Sequence, residues 1–183
     1  MSTPTEASLP AYDTIALTRK GRLLTITLNQ PDTLNAVNAK MHEELPEVIL
    51  FASTDPFSDV IVLTGAGKAF SAGGDAAHIA AFADTPELFD NEIRLAKRII
   101  FAILDMEKPL ICRLNGHAVG LGATLALFCD VIFAAENARI GDPHVSVGLV
   151  AGDGGAVIWP ARIGFGLAKE FLLTGELLTA KRA

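Results

Sequence analysis

A histidine and an aspartate, His144 and Asp153, stand in the stretch RIGDPHVSVGLVAGDGGAVIWP (139–160), otherwise built mostly from glycines and small apolar residues. A neutral imidazole titrates where a general base is useful, and a carboxylate that fixes its tautomer makes it more basic. Gly148, Gly152, Gly154 and Gly155 give the chain freedom to fold Asp153 back onto His144. The pair could then move a proton or activate a water. The plain alternative is a loop histidine bonded to a backbone carbonyl, and an aspartate capping a helix over 154–159.

Two other segments could handle developing negative charge. KAFSAGGD (68–75) follows a β-branched run and precedes an apparent helix, and NGHAVGLG (115–122) opens directly into another. Small residues let a backbone approach a ligand, and unpaired N–H groups at a helix start favour an anion. Each loop could give one N–H to a single oxygen, as an oxyanion requires. Ordinary glycine turns are the plain alternative. Nucleotide motifs fail: Gly65-Ala66-Gly67-Lys68 is followed by Ala69 and lacks the upstream glycine of a Walker A loop. Gly120-Leu121-Gly122 has Leu125 where a dinucleotide fingerprint wants glycine or alanine.

The elements that must hold these loops follow from periodicity. Alternation over 14–19 and 23–28 with Lys20-Gly21 between them predicts a hairpin. Asn38 can cap a helix through Phe51, which Pro46 should kink or break. A buried strand is expected at 60–63 and a helix at 75–82. A long helix over 87–106 has Pro86 in its first turn, and a strand follows at 110–114. A small-residue helix should end near Phe128, ahead of a strand at 131–135. Strands alternating with helices predict an α/β fold with helices covering a sheet and functional loops at strand C-terminal ends.

Composition bounds the rest. With 183 residues, 50% hydrophobic and 20% charged, the chain can build one domain with a sizeable core. A net charge of −6 argues against nucleic-acid binding, and Arg94, Lys97 and Arg98 read as a solvated helix face. The uncharged run 114–129 carries three glycines and is shorter than the roughly 20 apolar residues of a membrane span. Residues 1–10 read as a loose leader without secretory features, so a cytoplasmic protein that avoids membranes is expected. Cys112 and Cys129 lack metal or redox spacing. His42 and His78 read as surface or helix-face residues, and Ser71 and Ser146 lack a nucleophile-elbow context.

Together, FSAGGD (70–75), NGHAVG (115–120), Cys129-Asp130, Gly148-Leu149 and Leu173-Thr174-Gly175 resemble the enoyl-CoA hydratase/isomerase (crotonase) superfamily. The resemblance runs over 12–183. It implies a crotonase-like spiral of strand-strand-helix units over 11–183, with most of the family's C-terminal helical region absent. It also implies homotrimers or dimers of trimers, and a coenzyme A thioester as substrate with no other cofactor and no metal. The thioester oxygen would accept from the N–H groups of Ala72 and Leu121. Leu34-Asn35-Ala36 matches a family motif that places Ala36, Lys68 and Phe70 along the coenzyme A path. Ser71, Gly73, Asp75, Gly120, Thr124 and Gly152 join them as expected substrate-binding residues.

The pattern departs from the family at its acid–base positions. Family hydratases use two glutamates to activate one water, and those positions are Thr124 and His144 here. Isomerases need only one base, so His144 or Asp153 could serve. A similar histidine–aspartate spacing occurs in the 6-oxocamphor hydrolase branch, where it activates water for carbon–carbon cleavage, although that branch has histidine where Leu121 stands. The expectation is enoyl-CoA hydration or double-bond isomerisation with Asp153, His144, Ala72 and Leu121 as catalytic groups. The alternatives are a hydrolase or carbon–carbon lyase using the His144/Asp153 pair, and a non-catalytic acyl-CoA-binding or assembly subunit.

Overall fold

The structure, a computed structural model, describes residues 8–82 and 85–183. Of the expected leader, residues 1–7 lie outside the described residues, and Leu9 packs half-buried against the core. Strands β1 (Ile15–Lys20) and β2 (Leu23–Leu28) form the expected hairpin, in register from Ile15 opposite Leu28 to Lys20 opposite Leu23. Their turn needs Gly21, at φ +57°.

Helix α1 (Ala39–Thr54) starts where Asn38 accepts a hydrogen bond from the Met41 N–H at 2.9 Å. Of the kink or break expected at Pro46, there is no break: the helix runs through it. The ring removes one backbone donor, and the fully buried stripe Met41, Leu45, Val48 and Ala52 holds both halves on the sheet.

Next come β3 (Val60–Gly65), α2 (Ala76–Ala81), α3 (Pro86–Leu104) and β4 (Leu110–Leu114). They are followed by β5 (Ala118–Val119), α4 (Leu121–Phe128), β6 (Val131–Ala134), β7 (Arg139–Gly141), α5 (Gly155–Thr174) and β8 (Leu178–Thr179). The main sheet runs β1-β2-β3-β4-β6, parallel from β2 onward, and a second sheet runs β5-β7-β8. Strand-strand-helix units are visible in β1-β2-α1, β4-β5-α4 and β6-β7-α5. Helix α5 is two helical pieces joined at Gly164 (φ +79°), longer than the 154–159 segment expected. The core centres on Trp159, Phe70, Leu24, Ile26, Met41 and Leu125.

Parallel order puts the C-terminal ends of β3 and β4 side by side, so both glycine loops leave the sheet at one edge.

Candidate functional site

Two side-chain amides, of Asn35 and the half-buried Asn115, hold the loops together. Asn35 is wholly buried; its Nδ2 donates to the carbonyls of Ala66, Ala69 and Phe70 at 2.8, 3.0 and 3.2 Å, and its Oδ1 accepts from Gln30 N–H. Asn115 mirrors it: Oδ1 accepts from Gly65 N–H at 3.0 Å, and Nδ2 donates to the Gly67 and Ala69 carbonyls. Only a side chain with both donor and acceptor can satisfy a loop from two sides in this way. A Cβ at Gly116 would lie 2.0 Å from the Lys68 carbonyl oxygen, so the loops stack closer than any other residue permits. Gly73 combines φ +87° with 2.6 Å from its would-be Cβ to the Val119 oxygen.

The expected site residues separate into three groups. Ala72, Gly73 and Gly120 line a cavity of about 490 Å³ together with His144. Leu121, Gly152, Asp153 and His144 line a second cavity, of about 440 Å³, that shares Gly74, Ile79 and His144 with the first. Phe70 and Ser71 lie instead at 0% exposure inside the protein. The Ser71 hydroxyl donates to the Asn35 carbonyl at 2.8 Å and accepts from Gly73 N–H, so both residues brace the loop rather than face a ligand. Asp75 caps α2 by accepting from His78 N–H at 2.9 Å. Lys68 is exposed, Ala36 half-buried, and Thr124 buried beneath Asp153.

Leu121 is the first residue of α4, so its N–H has no intrahelical acceptor. The Ala72 N–H is engaged, donating to the Leu34 carbonyl at 3.0 Å.

His144 begins a 3-10 turn over His144–Val147 and stands between two carboxylates. Its Nδ1 contacts Asp142 Oδ1 in a short hydrogen bond, and its Nε2 lies 3.6 Å from Asp153 Oδ2. Burial alone would lower the imidazole pKa. The Asp142 hydrogen bond and the charges of Asp153 and Asp142 outweigh it, so the ring titrates above its ordinary value. Asp153 shifts the other way for a carboxylate. Burial pushes its pKa up and Asp142 adds to the rise, which the His144 charge and bonds from Gly155 N–H and the Thr124 hydroxyl only partly oppose. Asp142, which the sequence reading passed over, is thus the closest partner of His144. The three side chains also bring one potential ligand atom each within 4.8 Å, a spacing that could hold a cation.

Two glycine loops at adjacent strand ends thus lie across one cavity from an imidazole held between two carboxylates. The enoyl-CoA hydratase/isomerase family model matches residues 18–183, and the chain belongs to that family. It is 34% identical over 175 residues to a crotonyl-CoA hydratase of Syntrophomonas wolfei, covering 94% of this chain and 66% of that protein. It is 37% identical over 169 residues to a 2,3-dehydroadipyl-CoA hydratase of Escherichia coli, covering 92% and 65%. Among solved structures it is similar to an enoyl-CoA hydratase/isomerase from Mycobacterium paratuberculosis, with TM-score 0.90, 42% identity, and coverage of 94% of this chain and 70% of that one. The chain therefore spans about two thirds of the length of the curated relatives it matches.

Proposed function

We propose that the protein binds a coenzyme A thioester and hydrates an enoyl-CoA or shifts its double bond. Leu121 N–H and Ala72 N–H stabilise the thioester enolate, and His144 handles the proton. The observation that carries this reading is one cavity wall shared by Ala72, Gly120 and His144. Ala72 exchanges its bond to the Leu34 carbonyl for one to the thioester oxygen. Each oxyanion donor of this kind is worth roughly 3 kcal/mol in the transition state.

As a base His144 must be neutral, and Asp142 holds its Nδ1–H so that Nε2 faces Asp153 and the substrate. Asp153, whose burial favours the protonated acid, is suited to return the proton. The chemistry needs no metal or second cofactor. The alternative of a hydrolase or carbon–carbon lyase rests on the same imidazole activating water.

Incubation with enoyl-CoA, 3-hydroxyacyl-CoA and cyclic diketone substrates, followed by mass spectrometry, decides between them. A product of plus or minus one water from a CoA thioester, or an isomeric enoyl-CoA, supports the proposal. Diketone cleavage alone supports the hydrolase, and binding without turnover a non-catalytic subunit.

A homotrimer or dimer of trimers is part of the proposal, supported by exposed Phe133, Phe165 and Leu173 at 66%, 76% and 72% exposure. Among the described residues no helix is long and apolar enough to cross a membrane. A cytoplasmic location is supported by the two buried free thiols, which suit a reducing compartment.

A further inference from the structure

Proton handling leaves one oxygen beside His144 unused. Asp153 Oδ1 is fixed by the Thr124 hydroxyl at 3.2 Å and by Gly155 N–H at 3.3 Å, and Oδ2 faces the imidazole. Oδ2 is shut off from solvent and has no hydrogen-bond partner among the described residues. Its 3.6 Å to His144 Nε2 is too long for a hydrogen bond. It is close to the roughly 3.4 Å that separates two ligands of one tetrahedral zinc ion at about 2.1 Å each. A buried carboxylate oxygen that nothing satisfies, at ligand spacing from a ring nitrogen, is a place for a cation.

The far side of the ring is arranged for the same purpose. Asp142 Oδ1 holds Nδ1, and a metal-bound histidine commonly gives its second ring nitrogen to a carboxylate, which points the first at the metal. Two protein ligands leave coordination positions open to water, and His144 lines both cavities, so an ion has a path from solvent. One imidazole with one carboxylate suits zinc, nickel or copper, whereas magnesium and calcium prefer oxygen alone. Elsewhere, His42 of α1 and His78 of α2 meet the two oxygens of Glu92 on α3 at 2.5 and 3.0 Å. Those separations are shorter than two ligands of one ion keep, so that cluster lacks the gap that His144 and Asp153 leave.

We propose that His144 Nε2 and Asp153 Oδ2 bind a divalent transition-metal cation of the zinc type, and that the bound ion blocks turnover by occupying the lone pair His144 uses as a base. Asp142 is a positioning residue for the ring. The ion is an inhibitor and not a requirement of the reaction. The inhibition rests on the enoyl-CoA reading above, whereas the cation site stands on the geometry alone.

The test is calorimetric titration of the chelator-treated 183-residue protein with zinc chloride and with magnesium chloride, beside turnover of crotonyl-CoA and longer enoyl-CoA thioesters at rising zinc. Zinc should bind at one ion per chain and at least about tenfold tighter than magnesium. Turnover should fall along the same saturation curve and return when EDTA is added. His144→Ala and Asp153→Asn should each weaken zinc binding about tenfold or more, and Asp142→Asn about ten- to a hundredfold. His78→Gln, which takes a ring from the other cluster, should leave binding and inhibition unchanged. Zinc that binds no tighter than magnesium overturns the inference and leaves the enoyl-CoA reading standing. So does zinc binding that survives His144→Ala and Asp153→Asn, an adventitious ion only; should one variant not fold, the other decides. Binding lost in the variants with turnover untouched by saturating zinc overturns the inhibition, and His144 as the base with it. If no enoyl-CoA turns over at any zinc concentration, the enoyl-CoA reading and the inhibition fall together, while calorimetry still decides the cation site.

Discussion

Around the loops at 65–73 and 115–122, polar side chains are committed to backbone. Asn35 bonds three carbonyls, Asn115 two, and Ser71 ties the Asn35 carbonyl to the Gly73 N–H. Around His144 the pattern reverses, because Asp142 Oδ2 and Asp153 Oδ2 are buried without hydrogen-bond partners among the described residues. The first region places amide N–H groups through neutral bonds that pH does not touch. The second keeps charge confined and partly unpaired, a cost in stability that yields shifted proton affinities. Neutral bonds to backbone and buried ionisable groups are thus divided between two walls of one cavity, and substitutions on each should fail differently.

Loop substitutions should produce the largest change in stability. Asn35→Ala orphans the Ala66 and Phe70 carbonyls and the Gln30 N–H, while Ala69 keeps its bond from Asn115; at about 1–3 kcal/mol for each orphaned group, urea unfolding should show a loss of about 3 kcal/mol or more. Phe70→Ala should cost about 3–5 kcal/mol through the cavity it leaves. Asp153→Asn should do the opposite. Its folded pKa is raised, so ionising it costs stability once the pH exceeds the unfolded value near 4. At pH 7 the variant should unfold no more easily than the parent, while turnover drops on the order of tenfold or more. A matching loss of stability in this variant would mean that the carboxylate is structural.

The pH dependence separates the walls further. His144 titrates above its ordinary value of about 6.5, so turnover should rise with pH along a limb placed above that value. Its contribution to stability is complete below the unfolded pKa and is lost as pH rises through the folded one. Asp142→Asn removes the hydrogen bond and charge that raise it, and should move the limb down toward or below 6.5 with the loops intact. The smallest effect is expected from EDTA, which should leave turnover within about twofold. A large loss would assign Asp142, His144 and Asp153 to a cation instead.

How legible this was differs between the same two regions. The hairpin, β4 and α4 were readable to within a residue or two, because alternation, glycine punctuation and an apolar run each impose a period. The strands β5, β7 and β8 have two or three residues each, too few for a period, and pairing rather than sequence creates them. The loops showed in their glycines, but the bracing amides did not, because an asparagine beside a glycine reads equally well as a turn. Asp142 was hidden in Asp142-Pro143-His144, which looks like turn chemistry until the 3-10 turn swings the imidazole back over it. His42 looked like a helix-face residue. Which face of α1 meets α3 and a cavity is a tertiary fact that helical spacing alone does not contain.

If His144 is the base of an acyl-CoA site, the loops should bind a thioester independently of it. The direct measurement is turnover of crotonyl-CoA and longer enoyl-CoA thioesters by the parent and His144→Ala, alongside calorimetric affinity for a saturated acyl-CoA. Turnover should fall by about a hundredfold or more in His144→Ala while affinity changes only a few-fold. Turnover that survives His144→Ala would contradict it.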